Sequence, residues 1–220
     1  MPSEPWGVLF DIDGTLTDTN YLHVVAWKRA FADVDMNVPA ASIHRLVGVG
    51  SDDLIVELTG QPRHDVKEAW SKHFETMKAE IKAFPGASDL LRAVKRRGGR
   101  VVLASSSEEK DVDALLEALQ ATDAIDEVTS SGDVESAKPS PQIFEAALRK
   151  GGLTRGHAIV VGDTVWDIKA SGRCGLECVC VLTGGIGRAE LSEAGAVAIY
   201  ESPQELLENL ADSPLARLWS

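Results

Sequence analysis

Val8-Leu9-Phe10-Asp11-Ile12-Asp13-Gly14-Thr15-Leu16-Thr17-Asp18 is the stretch that decides the fold. Its apolar run predicts a short buried strand that leads straight into two carboxylates. Gly14 then allows a sharp turn. Residues i and i+2 of an extended segment project to one side, so Asp11 and Asp13 are expected to share a space. Like charges so placed raise each other's cost of ionising unless a cation or a proton lies between them. A turn rich in Asp and Thr after an edge strand would account for the same residues without chemistry. The rest of the chain has to decide.

The 220 residues suffice for one sizeable core, or a core and a small accessory domain. Apolar content of 44% and charged content of 25% are those of an ordinary globular chain. With 34 acidic and 22 basic residues the net charge is −12, which argues against nucleic acid or an anionic membrane as partner. The start, Met1-Pro2-Ser3-Glu4-Pro5-Trp6, lacks the basic-then-apolar order of a signal peptide, and no apolar run approaches the roughly 20 residues that span a bilayer. Cys174, Cys178 and Cys180 read as buried free thiols, the last two within a strand-like segment. The expected location is cytoplasmic, as a monomer or small homo-oligomer, with Trp219 among the C-terminal apolar residues that could form an interface.

After Asp18 the texture turns helical. Leu22, Val25, Ala26, Arg29 and Ala30 follow helical spacing, and Ser51 is expected to cap a helix that stops at Gly60. Val66, Trp70, Phe74, Met77 and Ile81 lie on one face of a helix expected over 65–82, ended by Phe84-Pro85-Gly86. Residues 19–84 thus read as an all-helical insert. From Gly86 on, helices alternate with strands at Arg100–Ser105, Glu127–Thr129, Ala158–Gly162, Cys178–Leu182 and Ala198–Tyr200, with Ser140-Pro141 opening a helix as N-cap and first residue. The expectation is an α/β fold: a doubly wound, Rossmann-like parallel sheet with helices on both faces over 1–18 and 85–220, and a small inserted all-helical cap. Ligands of such sheets sit at the carboxyl ends of the strands.

Those ends carry a useful set of groups. The first strand ends in Asp11 and Asp13, the next in Ser105-Ser106-Ser107; Lys138 lies in the loop Ala137-Lys138-Pro139-Ser140-Pro141; the Ile159–Val161 strand ends in Gly162-Asp163-Thr164-Val165-Trp166-Asp167. Taken singly, the serines read as a helix N-cap, Lys138 as a solvated loop lysine, Asp163 as an N-cap and Asp167 as a solvated helix residue. In this order they resemble the four motifs of the haloacid dehalogenase superfamily, in its phosphatase and phosphomutase branch, over essentially the whole chain.

The resemblance implies Asp11 as nucleophile and Asp13 as general acid/base. It implies Mg²⁺ held by Asp11, Asp163 and the backbone carbonyl of Asp13, with Asp167 behind them. Lys138, the Ser105 hydroxyl and the Ser106 amide would then face the phosphoryl oxygens. A helical insert after the first motif resembles the subclass whose caps close over small phosphorylated metabolites, as in beta-phosphoglucomutase and phosphoglycolate phosphatase. His23 resembles a histidine at that place in the mutase, although a solvated helix histidine explains it too. Gly48 and Ser51 are the further cap candidates for substrate contact. Gly48-Val49-Gly50-Ser51-Asp52-Asp53 has no Arg to grip a second phosphate, so hydrolysis is preferred over mutase chemistry. A non-catalytic phospho-ligand binder is the remote alternative. Lys67, Lys72, Lys78 and Lys82 all fit a solvated helix face. Gly48-Val49-Gly50 and Thr183-Gly184-Gly185-Ile186-Gly187 lack the context of nucleotide-binding loops, and the histidines show no metal-ligand spacing.

Overall fold

The computed structural model describes residues 4–219; Met1–Ser3, part of the N-terminus read above for a signal peptide, lie outside the described residues, as does Ser220. Six parallel strands, β1 (Gly7–Phe10), β2 (Arg100–Ala104), β3 (Glu127–Thr129), β4 (Ala158–Gly162), β5 (Cys178–Val181) and β6 (Ala198–Tyr200), form one sheet in the order β3-β2-β1-β4-β5-β6. The direction of winding reverses beside β1, between β1 and β4, which is where a doubly wound sheet opens a ligand crevice. All four residues of β1 are buried, as an apolar run covered on both faces requires. Val8 and Phe10 face one core with Leu90, Leu91, Val94, Leu115 and Leu206. Leu9 faces the other, with Phe144, Leu148, Val160 and Leu191. Each such side chain contributes roughly 2 kcal/mol by leaving water, so the strand that carries the carboxylates is firmly anchored.

The helices are α1 (Asn20–Ala32), α2 (Ala40–His44), α3 (Ser51–Thr59), α4 (His64–Glu75), α5 (Ala87–Arg96), α6 (Glu109–Leu119), α7 (Gln142–Gly151), α8 (Val165–Arg173), α9 (Arg188–Ala194) and α10 (Pro203–Glu208). The first four pack on one another, α1 on α2 and α4, and α3 on α2 and α4. The chain enters this helical block and returns side by side: Asp18 N donates to Lys82 O at 2.8 Å and Phe84 N to Leu16 O at 2.9 Å. Within the block α1 packs on α4 through Trp27 and Trp70, stacked at 4.8 Å.

Several local expectations change. Val25 is 40% exposed and α1 turns His23, Val24, Trp27 and Phe31 inward instead. α4 stops at Glu75, and Lys78–Glu80 is a separate 3-10 turn that still buries Met77 and Ile81. The N-cap of α3 is Gly50, with Ser51 the first helical residue and no side-chain cap, and α7 begins at Gln142 with Pro141 as its cap position. Lys67 is a partly exposed lysine paired with the exposed Asp52 at 2.9 Å, whereas Lys78 is not solvated and pairs with the buried Asp111 at 2.8 Å. All three cysteines are free and buried. Among the described residues no helix is long and apolar enough to cross a membrane.

Candidate active site

Asp11 follows β1 and its backbone N donates to Val161 O of β4 at 2.9 Å, which fixes it in the crevice between the two strands. One carboxylate oxygen contacts Lys138 Nζ and the other accepts from Thr15 Oγ1 at 3.1 Å. Thr15 also donates to Asp163 Oδ1 at 2.9 Å, so a single hydroxyl ties the end of β1 to the end of β4. Asp163 Oδ2 accepts from Asn20 Nδ2 at 2.9 Å, and Asn20 also reaches Gly184 O at 3.3 Å. The ligand atoms of Asp11, Asp163 and Asp167 lie within 4.8 Å of one another, and all three residues are buried.

Asp167 is 1% exposed rather than solvated. It closes a capping box at the start of α8, its Oδ2 accepting from Thr164 N at 3.1 Å and Thr164 Oγ1 at 2.6 Å. The cap of α8 is therefore Thr164, not Asp163. Asp167 Oδ1 stands 2.7 Å from Lys138 Nζ. Lys138 is likewise 1% exposed, so the loop lysine is a buried cation shared by Asp11 and Asp167.

Charge balance governs this cluster. Burial works against the Lys138 ammonium, but Asp11 and Asp167 outweigh it and hold its proton more firmly than usual. Burial pushes Asp11 up to about 7, which Lys138 only partly offsets while Asp167 and Asp13 add to the rise. Asp163 is raised too, by burial and then by Asp11 and Asp167, against the bonds from Asn20 and Thr15. One cation serves three buried carboxylates, and the negative excess is what an added cation would relieve.

Asp13 differs. Burial would raise it, yet hydrogen bonding and charge from His23, with bonds from Thr19 and Ser107, bring it down to about 2. Thr19 Oγ1 donates at 2.6 Å, Ser107 Oγ at 2.8 Å and Ser105 Oγ at 3.4 Å, while His23 Nε2 lies 3.1 Å away. His23 is 9% exposed and stacks on Phe74 at 4.3 Å, so it is no solvated histidine. Ser105 is buried after β2, whereas Ser106 Oγ donates to Gly48 O at 3.3 Å, joining the core to the helical block.

Asp11, Asp13 and Asp163 face a cavity of about 420 Å³ whose wall includes His23, Gly48 and Ser51 from the helical block. Every candidate site residue named from the sequence therefore lies in or against this one cavity; Lys138 and Ser105 sit behind the wall, in contact with Asp11 and Asp13. Thr15, Thr19, Asn20 and Ser107 belong to it as well and were not singled out. Ser107 stood in the quoted serine run and Thr15 in the first motif, but nothing in the sequence marks Asn20.

Glycines shape the floor. A Cβ at Gly184 would overlap the Asp163 carboxylate, and one at Gly14 would overlap both Asp163 Oδ2 and the Asn20 amide. Gly14 also has φ +77°, which disfavours any side chain.

The sequence profile of the haloacid dehalogenase-like hydrolase family matches residues 8–181, and the chain belongs to that family. It is 32% identical to protein CbbY of Cereibacter sphaeroides over 90% of this chain and 93% of that protein. It is 28% identical to a phosphoglycolate phosphatase of Rhodospirillum rubrum, covering 90% and 87% of the two chains. Among solved structures, a hydrolase from Pseudomonas syringae superposes with a TM-score of 0.89 at 31% identity, over 94% of this chain and 98% of the other.

Proposed function

We propose that this chain is a Mg²⁺-dependent phosphatase that hydrolyses a small phosphorylated metabolite through an aspartyl-phosphate on Asp11. The observation that carries this reading is the set of buried carboxylates with one buried lysine, opening onto a ligand-sized cavity at the carboxyl ends of β1 and β4. Phosphatase names among the relatives, phosphoglycolate phosphatase included, agree with it.

The site fits a divalent cation. Its donors are hard oxygens, its charge excess is negative, the glycines leave room beside Asp163, and Asn20 Oδ1 is buried next to it without a partner. Asp11, Asp163 and the backbone carbonyl of Asp13 would hold Mg²⁺, with Asp167 behind them. Bound there, the ion would offset the repulsion between a phosphate dianion and the Asp11 carboxylate.

Asp11 Oδ attacks phosphorus and the ester oxygen departs, taking a proton from Asp13. Asp13 then removes a proton from the water that cleaves the acyl phosphate. Its low value keeps it a carboxylate in the free protein, so the proton it gives in the first step comes in with the phosphate ester as its monoanion or from solvent. Giving that proton up restores the carboxylate that the second step requires. An arriving phosphate raises it, because added negative charge favours the protonated form. Lys138 contributes a compact charge toward the phosphoryl oxygens and keeps Asp11 oriented. Helices α1–α4, over 19–84, act as a cap that excludes water. The three free, buried thiols suit a cytoplasmic setting.

The test is release of inorganic phosphate from a panel of metabolite monophosphates, with Mg²⁺ and with chelator. Release that chelator abolishes is expected, together with a Mg²⁺-dependent rise in melting temperature. Phosphate release that persists in chelator would contradict the metal assignment, and none under any condition would contradict the activity.

Asn20 offers a finer check. Its amide orients Asp163 from α1, and removing a group that holds a metal ligand costs about 10–100-fold in metal affinity. Asn20→Ala is therefore expected to weaken Mg²⁺ binding by about tenfold in calorimetry. An unchanged dissociation constant would mean the amide only fills space.

A further inference from the structure

The mouth of the cavity carries a charge arrangement that phosphate chemistry does not require. Among the described residues lining the cavity, Lys67 is the sole lysine or arginine, while Asp52, Asp53, Glu108 and Glu135 all border it. Lys67 is already engaged. It rises from α4, and its Nζ lies 2.9 Å from Asp52 Oδ2 of α3 and 3.9 Å from Glu108 Oε1 at the start of α6. Glu108 also takes Lys110 Nζ at 2.9 Å. The trio spans the mouth from the helical block to the core.

We propose that Lys67, Asp52 and Glu108 determine specificity for the far end of the substrate, selecting monophosphates whose remainder bears no second anion. A second phosphate or a carboxylate would find the one cation neutralised and would meet a field dominated by four carboxylates. Like-charge juxtaposition disfavours binding and slows approach. A hydroxyl-bearing remainder meets no such penalty. The wall beyond the trio suits it: Ser51 and Ser136 hydroxyls, with the Trp27 and Trp70 rings as apolar faces. The mouth thus favours a neutral polyol or sugar monophosphate over phosphoglycolate or a bisphosphate. The inference rests on the phosphatase reading and narrows it.

The experiment compares sorbitol 6-phosphate with 6-phosphogluconate, which differ at the far end by CH₂OH against a carboxylate. Both are measured with Mg²⁺ as substrates and as competitors of 4-nitrophenyl phosphate, so each yields a constant whether or not it turns over. The wild-type protein is expected to prefer the neutral ester by about tenfold at low salt, less at high salt. Asp52→Asn with Glu108→Gln frees Lys67, and the preference is expected to shrink to within about threefold or to reverse, chiefly through the constant for the carboxylate ester. Lys67→Gln removes the cation instead and should sharpen the preference. Equal constants in the wild-type protein, or a ratio that both variants leave unchanged, would overturn the inference alone. No phosphate release from any ester, 4-nitrophenyl phosphate included, would overturn the phosphatase reading and this inference with it.

Discussion

Asp11→Asn is expected to lower phosphate release by at least about 10⁴-fold, the scale on which enzymes lose a nucleophile, while the protein stays folded. The amide keeps the shape of the carboxylate and can still meet Thr15 and Lys138, but it cannot form the acyl phosphate. The sign of the stability effect is a second readout. Asp11 is pushed up to about 7 by burial, against the partial help of Lys138. A carboxyl whose folded value lies above its unfolded value leaves stability intact at low pH and costs stability as the pH rises toward about 7. The metal-free wild-type protein should therefore lose stability between about pH 4 and 7 from this group, with little further change above that. The variant, uncharged throughout, should show a smaller loss and a melting temperature at pH 8 no lower than the wild type's. Activity within about tenfold of wild type would remove Asp11 from the nucleophile's role. A melting temperature several degrees lower at pH 8 would show that its charge is needed for the fold.

What was legible in the sequence follows strand order. Asp11, Asp13, Ser105 and Asp163 stand where apolar strands end, and a parallel sheet gathers strand ends at one edge whatever the helices do. Lys138 could be named because its loop lies between two such strands. The sequence left open groups whose role comes from the other layer. His23 is buried because Trp70 and Phe74 of α4 stack against it, and pairing it with Asp13 requires knowing how α1 crosses the core. Asn20 reads as an ordinary first residue of a helix until Asp163, 143 positions away, meets its amide. Lys67 reads as a solvated helix lysine until α3 and the start of α6 bring carboxylates to it. On α1, Ala26 and Ala30 are buried and Leu22 packs against the core, but Val25 faces out and the packing on α4 takes Trp27 in its place. For Asp167 the signal is local: Thr164 with an acid three residues on is the pattern of a capping box, which holds that carboxylate against the helix start.

Lys138→Met should have the largest effect on stability. The methionine keeps most of the side chain's length, so the loss is of charge rather than of packing. Lys138 faces Asp11 and Asp167 directly, with Asp163 and the Asp13–His23 pair next in the cluster. Without it, Asp11, Asp163 and Asp167 share one buried volume with no cation among them. Breaking a buried ion pair by removing one partner costs about 3–5 kcal/mol. For a chain of this size that corresponds to a fall in melting temperature of roughly 10 °C, measured at pH 8 in chelator. The remaining carboxyls would rise further, so protonation relieves the repulsion and the gap to wild type should close toward pH 5. A divalent cation should relieve it as well, so added Mg²⁺ is expected to raise the melting temperature of the variant more than that of the wild-type protein. Phosphate release should fall with the charge even where Mg²⁺ restores the fold. A melting temperature unchanged at pH 8 in chelator would mean that these carboxylates already carry protons there. The negative excess at the strand ends would then not be what draws a metal in.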